Sequence, residues 1–460
     1  MAGYPEDTIA AIATATGPAA IAILRLSGRE SFEVAAAMLR GRREEVPPNF
    51  SASHRARRAV LRSPDDGSPI DDVLFLPMHA DRSPTGENVV EIHCHGGQLL
   101  SQRALAAALS AGARAARPGE FTERAFLNGR LDLCQAEAVA DLAQATSEAG
   151  LKAAWQLLEG NLSRKVLAQR DALLDNRALL EAHLDFPDDE IPAATARELV
   201  LGLETVSREL QRLAESFNRG RLARDGVRLA LVGKPNVGKS SLMNALLGRS
   251  RALVSNVAGT TRDYLEEPLA LGNLQALLSD TAGLRETTDA LEKAGVERSR
   301  SQIDAADLLL VVTDGSNPLT DQDRALLDSL PERKFLIVRN KCDQPLAWES
   351  DALGRHAVVT VSATEGIGLE GLCQKALEML SWKTEDKSEE VLVTRERHQA
   401  ALKDARKAVI AASLLLENDE GLDLVACELQ TATAALDALV GLSSPEDVLD
   451  RIFEKFCIGK

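Results

Sequence analysis

Apolar residues recur with two different spacings along the 460-residue chain, and the change of spacing separates three regions. The first region, residues 1–118, mixes short apolar runs with amphipathic stretches. The runs predict strands at residues 8–14, 20–26, 73–76 and 89–94, and the amphipathic stretches predict helices at residues 31–39 and 99–111. This mixture indicates an N-terminal α+β domain.

A helical period covers residues 121–184 and resumes over 195–218, after an acidic break at 185–190. One stripe within it has spacings of three and four residues and predicts a helix that faces a core: Leu151, Ala154, Trp155, Leu158 and Leu162. The acidic break is expected to be a solvated loop.

The helical period returns at residues 394–417 and 422–440. Two helical blocks that flank an insertion can bury their apolar faces against each other. We therefore expect residues 119–218 and 381–460 to form one all-α domain, into which residues 219–380 are inserted.

The inserted region contains a phosphate-binding motif in the context that the motif requires. An apolar run at Leu229–Val232 predicts a strand, and the loop Gly233–Ser240 has two glycines separated by four residues and followed by Lys and Ser. The next residues, Ser241–Leu247, predict a helix that ends at Gly248.

Phosphate and Mg²⁺ binding are the chemistry of this loop. Its backbone N–H groups point at phosphate oxygens, Lys239 adds a positive charge, and the Ser240 hydroxyl can ligand Mg²⁺. Thr261 in the later Gly259–Asp263 stretch can complete the Mg²⁺ shell when a γ-phosphate is present. Asp280 follows an apolar strand and is placed near the same ion.

A guanine-selecting group completes the set of motifs. Residues 340–343, Asn-Lys-Cys-Asp, follow an apolar run, and the carboxylate of Asp343 can accept hydrogen bonds from N1–H and the 2-amino group of guanine, which adenine does not offer. Ser362–Ala363, after a further apolar run, can supply backbone groups to the edge of the base. The five motifs in this order predict an inserted α/β P-loop GTPase domain with a Ras-like, mixed sheet. The candidate GTP-binding residues are Asn236, Val237, Gly238, Lys239, Ser240, Ser241, Ser255, Asn256, Val257, Ala258, Gly259, Thr260, Thr261, Asp280, Thr281, Ala282, Gly283, Asn340, Lys341, Cys342, Asp343, Ser362, Ala363 and Thr364.

In Ras and Gα proteins a glutamine orients the water that attacks the γ-phosphate. Leu284 occupies that position here, directly after Gly283, so this device is absent from the sequence. Hydrolysis then requires another acid or base, a side chain from a partner, or an extra cation near the phosphates. The side-chain carbonyl of Asn236 is a candidate ligand for such a cation, and its alternative role is to stabilise the loop.

Composition restricts the partners. The formal net charge is −16 and the pI is about 5.1, so tight RNA binding by this chain alone is not expected and an RNA partner would need another subunit. No apolar stretch reaches the length of a membrane helix and no secretory leader is evident, so we expect a cytoplasmic protein with no membrane partner. Six scattered cysteines suit a reducing compartment.

Two smaller features lie outside the inserted region. His93 and His95 alternate on a predicted strand and so share a face, but two ligands alone do not make a metal site. Near the end, Ser444 is a predicted N-cap with Pro445 at the first helical position, and the apolar face that follows can dock this last helix.

The chain resembles a known family at several separate places. The inserted module is similar to translation-factor-like GTPases, which include ribosome-assembly proteins. The run Arg117–Leu133, the break Leu184–Pro187 and the final Cys457–Lys460 narrow this to a resemblance, over essentially the whole chain, to the MnmE family of tRNA modification GTPases.

That resemblance implies a function. The family hydrolyses GTP and acts with an MnmG-like partner that carries FAD, in a heterotetramer or larger complex that receives the tRNA. It adds an aminomethyl or carboxymethylaminomethyl group at C5 of the wobble uridine. Its N-terminal domain binds a tetrahydrofolate derivative, 5-formyl- or methylene-tetrahydrofolate, and makes the protein a homodimer.

The resemblance also implies site residues. The folate contacts fall on Arg25, Glu91, Arg130 and Lys460, with arginine at position 130 where the family pattern leads us to expect lysine. Activation by K⁺, through dimerisation of the nucleotide domains, implies ligands at Asn236, Ser255, Val257 and Thr260. The catalytic glutamate falls on Glu292, and Cys457 is a candidate nucleophile toward uridine.

A rival hypothesis is a GTP-switched ribosome-assembly factor, in which hydrolysis only times release. The N-terminal domain distinguishes the two, because such a factor has no need of a folate site.

Overall fold

The computed structural model describes residues 7–15, 17–41, 48–184, 193–253, 266–280, 301–330, 333–349, 353–354, 356–382, 390–418, 420–443 and 445–460. The chain divides into two compact units. The first comprises residues 1–143, 156–211 and 401–460, and the second comprises residues 144–155 and 212–400.

A seven-stranded sheet forms the N-terminal part of the first unit. Its strands are β1 Ile9–Ile12, β2 Ile21–Ser27, β3 Leu39–Arg40, β4 Arg57–Arg62, β5 Pro69–Met78, β6 Val89–His95 and β7 Arg114–Ala115. They lie in the order β3-β4-β5-β6-β2-β1-β7 and pair antiparallel, except that β1 and β7 are parallel. The predicted strands and the α+β class are confirmed, whereas β4 was missed because three of its six residues are arginine.

Two helices cover one face of this sheet, α1 Ser31–Met38 and α2 Gln98–Ser110. Their small or apolar faces bury Val34, Ala35 and Ala104 against strand residues such as Leu24 and Ile92. Because side chains alternate along a strand, the residues between these core positions point to the opposite face. Arg25, Glu91 and His93 are on that opposite face.

Helices make up the rest of the first unit. They include α3 Glu120–Leu127, α4 Leu133–Gln144, α6 Asn161–Leu184 and α7 Ala193–Glu215, and later in the chain α12 Glu396–Glu417, α13 Leu422–Val440 and α14 Glu446–Phe453. Helix α6 packs along α13, and Arg170 forms an ion pair with Asp437 between them. Two helices that lie more than 200 residues apart in the sequence therefore pack in one unit.

Helix α5 Glu148–Leu158 corrects the predicted core stripe. Ala154 is buried, but Leu151 and Trp155 are about half-exposed, and a turn at residues 159–160 separates α5 from α6. Ala154 and Leu162 are buried as predicted, so the stripe was wrong at Leu151 and Trp155 and in joining two helices into one.

The second unit is built on a six-stranded sheet of the predicted mixed type. Its strands are β8 Val227–Val232, β9 Glu266–Leu271, β10 Leu274–Asp280, β11 Leu308–Asp314, β12 Phe335–Asn340 and β13 Val358–Thr360. Their order is β13-β12-β11-β8-β10-β9, and only β9 runs antiparallel to its neighbour. Helices of this unit are α8 Phe217–Asp225, α9 Lys239–Leu253, α10 Asp321–Asp328 and α11 Leu369–Met379.

Helix α9 does not end at Gly248, so that prediction was wrong. A glycine ends a helix when it adopts a left-handed backbone, and Gly248 is not among the residues with positive φ. A glycine inside a helix costs stability without interrupting it.

The C-terminal segment docks on the N-terminal sheet. Pro445 is the N-cap of α14 with an extended backbone, rather than the first helical residue as predicted, and the Ser444 prediction lies outside the described residues. Phe453 and Phe456 pack against Leu133 of α4. Gly459 has φ 93°, and a Cβ there would lie 2.5 Å from the carbonyl oxygen of Ile12, so only glycine lets the segment approach β1 this closely.

A buried ion network fastens α3 to the sheet. Arg124 is almost fully buried and its guanidinium contacts Asp7 at 2.6 Å, Glu87 at 3.1 Å and Glu120 at 3.2 Å. Glu120 is also buried and accepts a second guanidinium, that of Arg114, at 2.6 Å. A buried charge is tolerated only when such partners surround it.

No helix in the described ranges is both long and apolar enough to cross a bilayer.

The Glu120 network predicts a loss of stability at neutral pH. Burial by itself raises the pKa of Glu120, but hydrogen bonds from Arg114, the Arg117 N–H and Arg124 outweigh it and hold the pKa below its usual range. The substitution Glu120→Gln should therefore lower the unfolding free energy of this unit by about 3 kcal/mol at pH 7, as measured by urea denaturation.

The same substitution has a defined pH dependence. A depressed folded-state pKa contributes stability above the unfolded value of about 4.3, and that contribution is lost as pH falls through the folded value. The difference between wild type and Glu120→Gln should thus shrink below about pH 4. Glu33→Gln, at an exposed position of α1, is the control, and an equal effect of both substitutions would contradict the prediction.

Candidate functional site

The phosphate-binding loop connects the buried strand β8 to helix α9. Lys239, the first residue of α9, donates from Nζ to the carbonyl oxygens of Gly233 at 2.8 Å and Lys234 at 2.7 Å, so its ammonium lies across the loop. Gly238 has φ 97°, and a Cβ there would lie 2.2 Å from Nδ2 of Asn340. The loop and the first turn of α9 therefore present backbone N–H groups in the manner that binds phosphate.

Asn340 joins this loop to the base-binding segments. It is buried at the end of β12, donates from Nδ2 to the Val237 carbonyl oxygen at 2.9 Å, and accepts on Oδ1 from the Ala363 N–H at 3.0 Å. One amide side chain thus brings together three motifs, the first and last of which are more than 120 residues apart in the sequence.

Asp343 is exposed and is oriented by Ser362. The Ser362 hydroxyl donates to Oδ1 of Asp343 at 2.6 Å and lies 3.1 Å from the Thr364 hydroxyl. The Cys342 N–H donates to the Val361 carbonyl oxygen at 3.1 Å, which aligns the two loops. The carboxylate edge of Asp343 is left facing solvent, where it can accept the donors of a guanine ring.

Asp314 is a residue of this site that the sequence analysis missed. It ends β11, and its carboxylate contacts Nζ of Lys341 at 2.6 Å while accepting hydrogen bonds from Ser316. Burial acts to raise the pKa of Asp314, but Lys341 and Ser316 lower it to about 2, so the carboxylate is charged at neutral pH. An acidic residue directly after a buried strand was the available signal.

Other predicted nucleotide residues are only partly described. Ser240 and Ser241 lie in the first turn of α9, and Asn236 is exposed with φ 66°. The backbone of Asp280 ends β10 opposite Leu231, on the same sheet edge as the loop. Ten further predicted positions lie outside the described residues: Ser255, Asn256, Val257, Ala258, Gly259, Thr260, Thr261, Thr281, Ala282 and Gly283. The predicted catalytic Glu292 also lies outside them.

The N-terminal unit brings two of the four predicted folate residues together. Arg25 of β2 and Glu91 of β6 are cross-strand partners, and the guanidinium contacts Oε1 of Glu91 at 3.0 Å from Nε and 2.8 Å from Nη2. Nη1 of Arg25 donates to the Gly459 carbonyl oxygen at 3.3 Å, and the guanidinium lies 5.7 Å from the ring centroid of Phe121. Phe121 and the Gly459 carbonyl were not predicted from the sequence to lie at this site.

The other two predicted folate residues have different contacts. Arg130 is exposed and donates to the Ala80 carbonyl oxygen at 2.5 Å, a contact separate from the Arg25–Glu91 pair. Lys460 is half-buried and its N–H donates to the Cys457 carbonyl oxygen at 3.3 Å, next to the residue that Arg25 contacts. Cys457 is exposed.

The alternating histidines His93 and His95 lie on β6. Among the described residues, no group of three His, Cys, Asp or Glu side chains is arranged to hold a metal ion. His95 instead makes a 2.7 Å contact from Nδ1 to Asp71.

Two models of one protein family match segments that together cover most of the chain. The family models described as "MnmE helical domain" and "GTP-binding protein TrmE N-terminus" match residues 133–457 and 8–130. Among solved structures, the G domain of the FeoB iron transporter of T. maritima is 28% identical and covers 33% of this chain and 98% of that chain, but its TM-score of 0.26 supports no conclusion.

Curated relatives match along their whole length. The tRNA modification GTPase MnmE of Protochlamydia amoebophila is 43% identical over 99% of this chain and 98% of that protein. The tRNA modification GTPase MnmE of Moorella thermoacetica is 44% identical over 99% of this chain and 100% of that protein. These matches, which agree with the phosphate-binding loop and the position of Asp343, establish that the chain belongs to the MnmE family of tRNA modification GTPases.

Proposed function

We propose that the protein is an enzyme that hydrolyses GTP in the modification of tRNA. The observation that carries this proposal is the Asn340 side chain, which bonds the phosphate-binding loop at Val237 and the base-binding segment at Ala363 in one arrangement. A phosphate cradle beside a carboxylate aimed at a base edge suits a guanine nucleotide. Ser240, in the first turn of α9, and Thr261 would supply hydroxyl oxygen ligands to Mg²⁺, with Asp280 near the same ion.

K⁺ activation through dimerisation of the nucleotide domains is the finer proposal for hydrolysis. Asn236 supports it, because its exposed position in the phosphate-binding loop suits an oxygen ligand for a monovalent cation near the phosphates. Ser255, Val257 and Thr260 would complete the ligand set, and Glu292 would orient the attacking water. A cation there would supply positive charge without an arginine finger.

Folate-dependent uridine modification is the finer proposal for the N-terminal unit. Arg25 fits a carboxylate-bearing ligand, and Glu91 fits the donors of a pterin ring. When bound, the folate supplies the one-carbon unit for the group added at C5 of the wobble uridine. Arg130 and Lys460 would bind the ligand's glutamate tail, and Cys457 is a weaker candidate nucleophile.

A partner is part of the proposal. The net charge of −16 disfavours tRNA binding by this chain alone, so tRNA would reach a homodimer of it through a complex with an MnmG-like FAD protein. We propose domains at residues 1–118, at 119–218 with 381–460, and at 219–380.

Guanine selection gives a direct test. The substitution Asp343→Asn replaces an acceptor by an amide whose N–H can donate to the 2-oxo group of xanthine. GTP affinity should fall about a hundredfold or more and XTP affinity should rise, as measured by nucleotide-binding titration. Asp328→Asn, at an exposed position of α10, is the control, and unchanged GTP affinity in Asp343→Asn would contradict the proposal.

Cation dependence tests the hydrolysis proposal. Hydrolysis rates in K⁺ and Na⁺ at matched ionic strength should differ at least about tenfold in wild type, and the difference should vanish in Asn236→Gly and Glu292→Ala. Glycine adopts the φ of 66° without strain, so the Asn236→Gly result reports the lost carbonyl rather than a distorted loop.

The control for the cation experiment is Asn244→Ala, at an exposed position of α9, which should keep the difference between K⁺ and Na⁺. Equal rates in both salts for wild type would contradict cation activation and would favour a catalytic group supplied by a partner.

Folate binding tests the N-terminal site. The substitution Arg25→Ala removes the charge that holds Glu91, so the Kd for 5-formyltetrahydrofolate should rise about tenfold or more, as measured by calorimetry. Arg58→Ala is the matched control, because Arg58 forms a comparable but exposed pair with Asp72 in the same sheet. Equal affinities of wild type and Arg25→Ala would contradict the site.

A further inference from the structure

Lys234, the second residue of the phosphate-binding loop, is held at its side chain by the segment that follows β11. Its ammonium contacts Oδ2 of Asp323 at 2.6 Å and donates to the Thr320 hydroxyl. The pair is mostly removed from water, since the side chains of Lys234 and Asp323 are 22% and 10% exposed. In the surface pair of Arg58 and Asp72 the side chains are 57% and 34% exposed. A desolvated pair is stable only at close distance, so it restricts the position of Lys234.

Asp323 is itself fixed by the start of its helix. Its Oδ2 accepts hydrogen bonds from the Thr320 N–H at 2.8 Å and from the Thr320 hydroxyl at 2.9 Å, as part of the capping box of α10. Burial acts to raise the pKa of Asp323, but the hydrogen bonds from Lys234 and Thr320 outweigh it and hold the pKa below its usual range. The carboxylate is therefore charged at neutral pH and anchors Lys234 to a helix.

The main chain of Lys234 forms the other half of the connection. Its carbonyl oxygen accepts a hydrogen bond from Nζ of Lys239 at 2.7 Å, and the carbonyl oxygen of Gly233 accepts from the same Nζ at 2.8 Å. Lys239 supplies the positive charge that such a loop places on phosphate oxygens. The residue that α10 holds is thus also an acceptor that orients the Lys239 ammonium.

The two halves of the loop are held by different parts of the sheet. A Cβ at Gly233 would lie 2.4 Å from the Val312 carbonyl oxygen, so the loop begins in close contact with β11. β11 continues through residues 315–319 to the start of α10, where Asp323 lies. The second half of the loop is held at the Val237 carbonyl oxygen by Asn340. Asp323 therefore acts on the half that Asn340 does not contact.

We propose that Asp323 is a positioning residue for phosphate binding, which acts through Lys234 to hold the carbonyl that orients the Lys239 ammonium. Without this anchor the first half of the loop can shift, and a misplacement of about 1 Å can cost about a hundredfold in rate. The effect falls on the β- and γ-phosphates, and the base-binding contacts of Asn340 and Ser362 are left in place. This inference rests on the guanine-nucleotide binding proposed above.

The test compares GDP with GMP, which lacks the β-phosphate. The affinity of the full-length protein for each is measured by competition with a fluorescent GDP analogue. Lys234→Met removes the ammonium and keeps the length of the side chain, and Asp323→Asn removes the negative charge. In each variant the Kd for GDP should rise about tenfold, whereas the Kd for GMP should change less than about threefold. A general loss of structure would weaken both nucleotides alike.

Combining the two substitutions tests whether they act through one contact. The double variant should bind GDP about as weakly as either single variant, rather than about a hundredfold more weakly than wild type, because one pair can be broken only once. Lys234→Arg keeps a cation that can pair with Asp323, so it should lose less GDP affinity than Lys234→Met. Asp321→Asn, exposed in the same turn of α10, is the matched control and should bind GDP as wild type does.

Folding of each variant is checked by thermal unfolding without nucleotide. Asp323→Asn also changes the capping box of α10, whereas Lys234→Met leaves the contacts between Thr320 and Asp323 in place. If Asp323→Asn does not fold, the GDP and GMP affinities of Lys234→Met decide the question.

The outcomes are distinct. If wild type does not bind GDP, the proposed nucleotide function is overturned together with this inference. If wild type binds GDP but Lys234→Met weakens GDP and GMP equally, or neither, Asp323 does not position the loop and only this inference is overturned. Losses that multiply in the double variant would also overturn it, because the two residues would then act independently.

Discussion

The buried guanidinium of Arg124 needs negative partners, and meeting that need holds α3 against the N-terminal sheet. Asp7, Glu87 and Glu120 supply them from the chain start, the β5–β6 connection and α3 itself. Desolvated charges are stable only when their partners lie at hydrogen-bonding distance. The network therefore sets the position of α3 on the sheet as well as contributing to stability. Phe121 is the next residue of α3, and the same fastening places its ring beside Arg25. The candidate folate site therefore depends on a charge cluster that belongs to the scaffold.

In the nucleotide unit the central connecting group is neutral. Asn340 uses both ends of one amide to join the phosphate loop and the base loops, and Ser362 and Asp314 then orient Asp343 and Lys341. A neutral amide carries a smaller desolvation cost than an ion, which suits a site that must receive a highly charged ligand. The two units thus stabilise their sites by different means.

The fold and the site could be predicted from the sequence where the functional residues are contiguous in the chain. The strand, loop and helix around Lys239 are contiguous, so the motif predicted both the fold and the position of its residues. The sequence was less informative where contacts are distant, since the pairing of Arg25 with Glu91 spans 66 residues and the positions of Asp314 and Phe121 depend on packing. Periodicity also failed at α5, because Leu151 and Trp155 have core spacing without a core to meet. The arginine-rich β4 shows the converse, a strand formed by its neighbours' hydrogen bonds in spite of its composition.

The contact between Arg25 and the carbonyl of Gly459 joins residues 434 positions apart, and this separation has a consequence for synthesis of the chain. At about 5–20 residues per second, roughly 20–90 s pass between the translation of Arg25 and that of Gly459. The second unit, which ends at residue 400, emerges from the ribosome within that interval and can fold first. During that interval the sheet face that carries Arg25 is not yet covered by the C-terminal segment around Gly459. Its charged side chains favour contact with water until that segment is made.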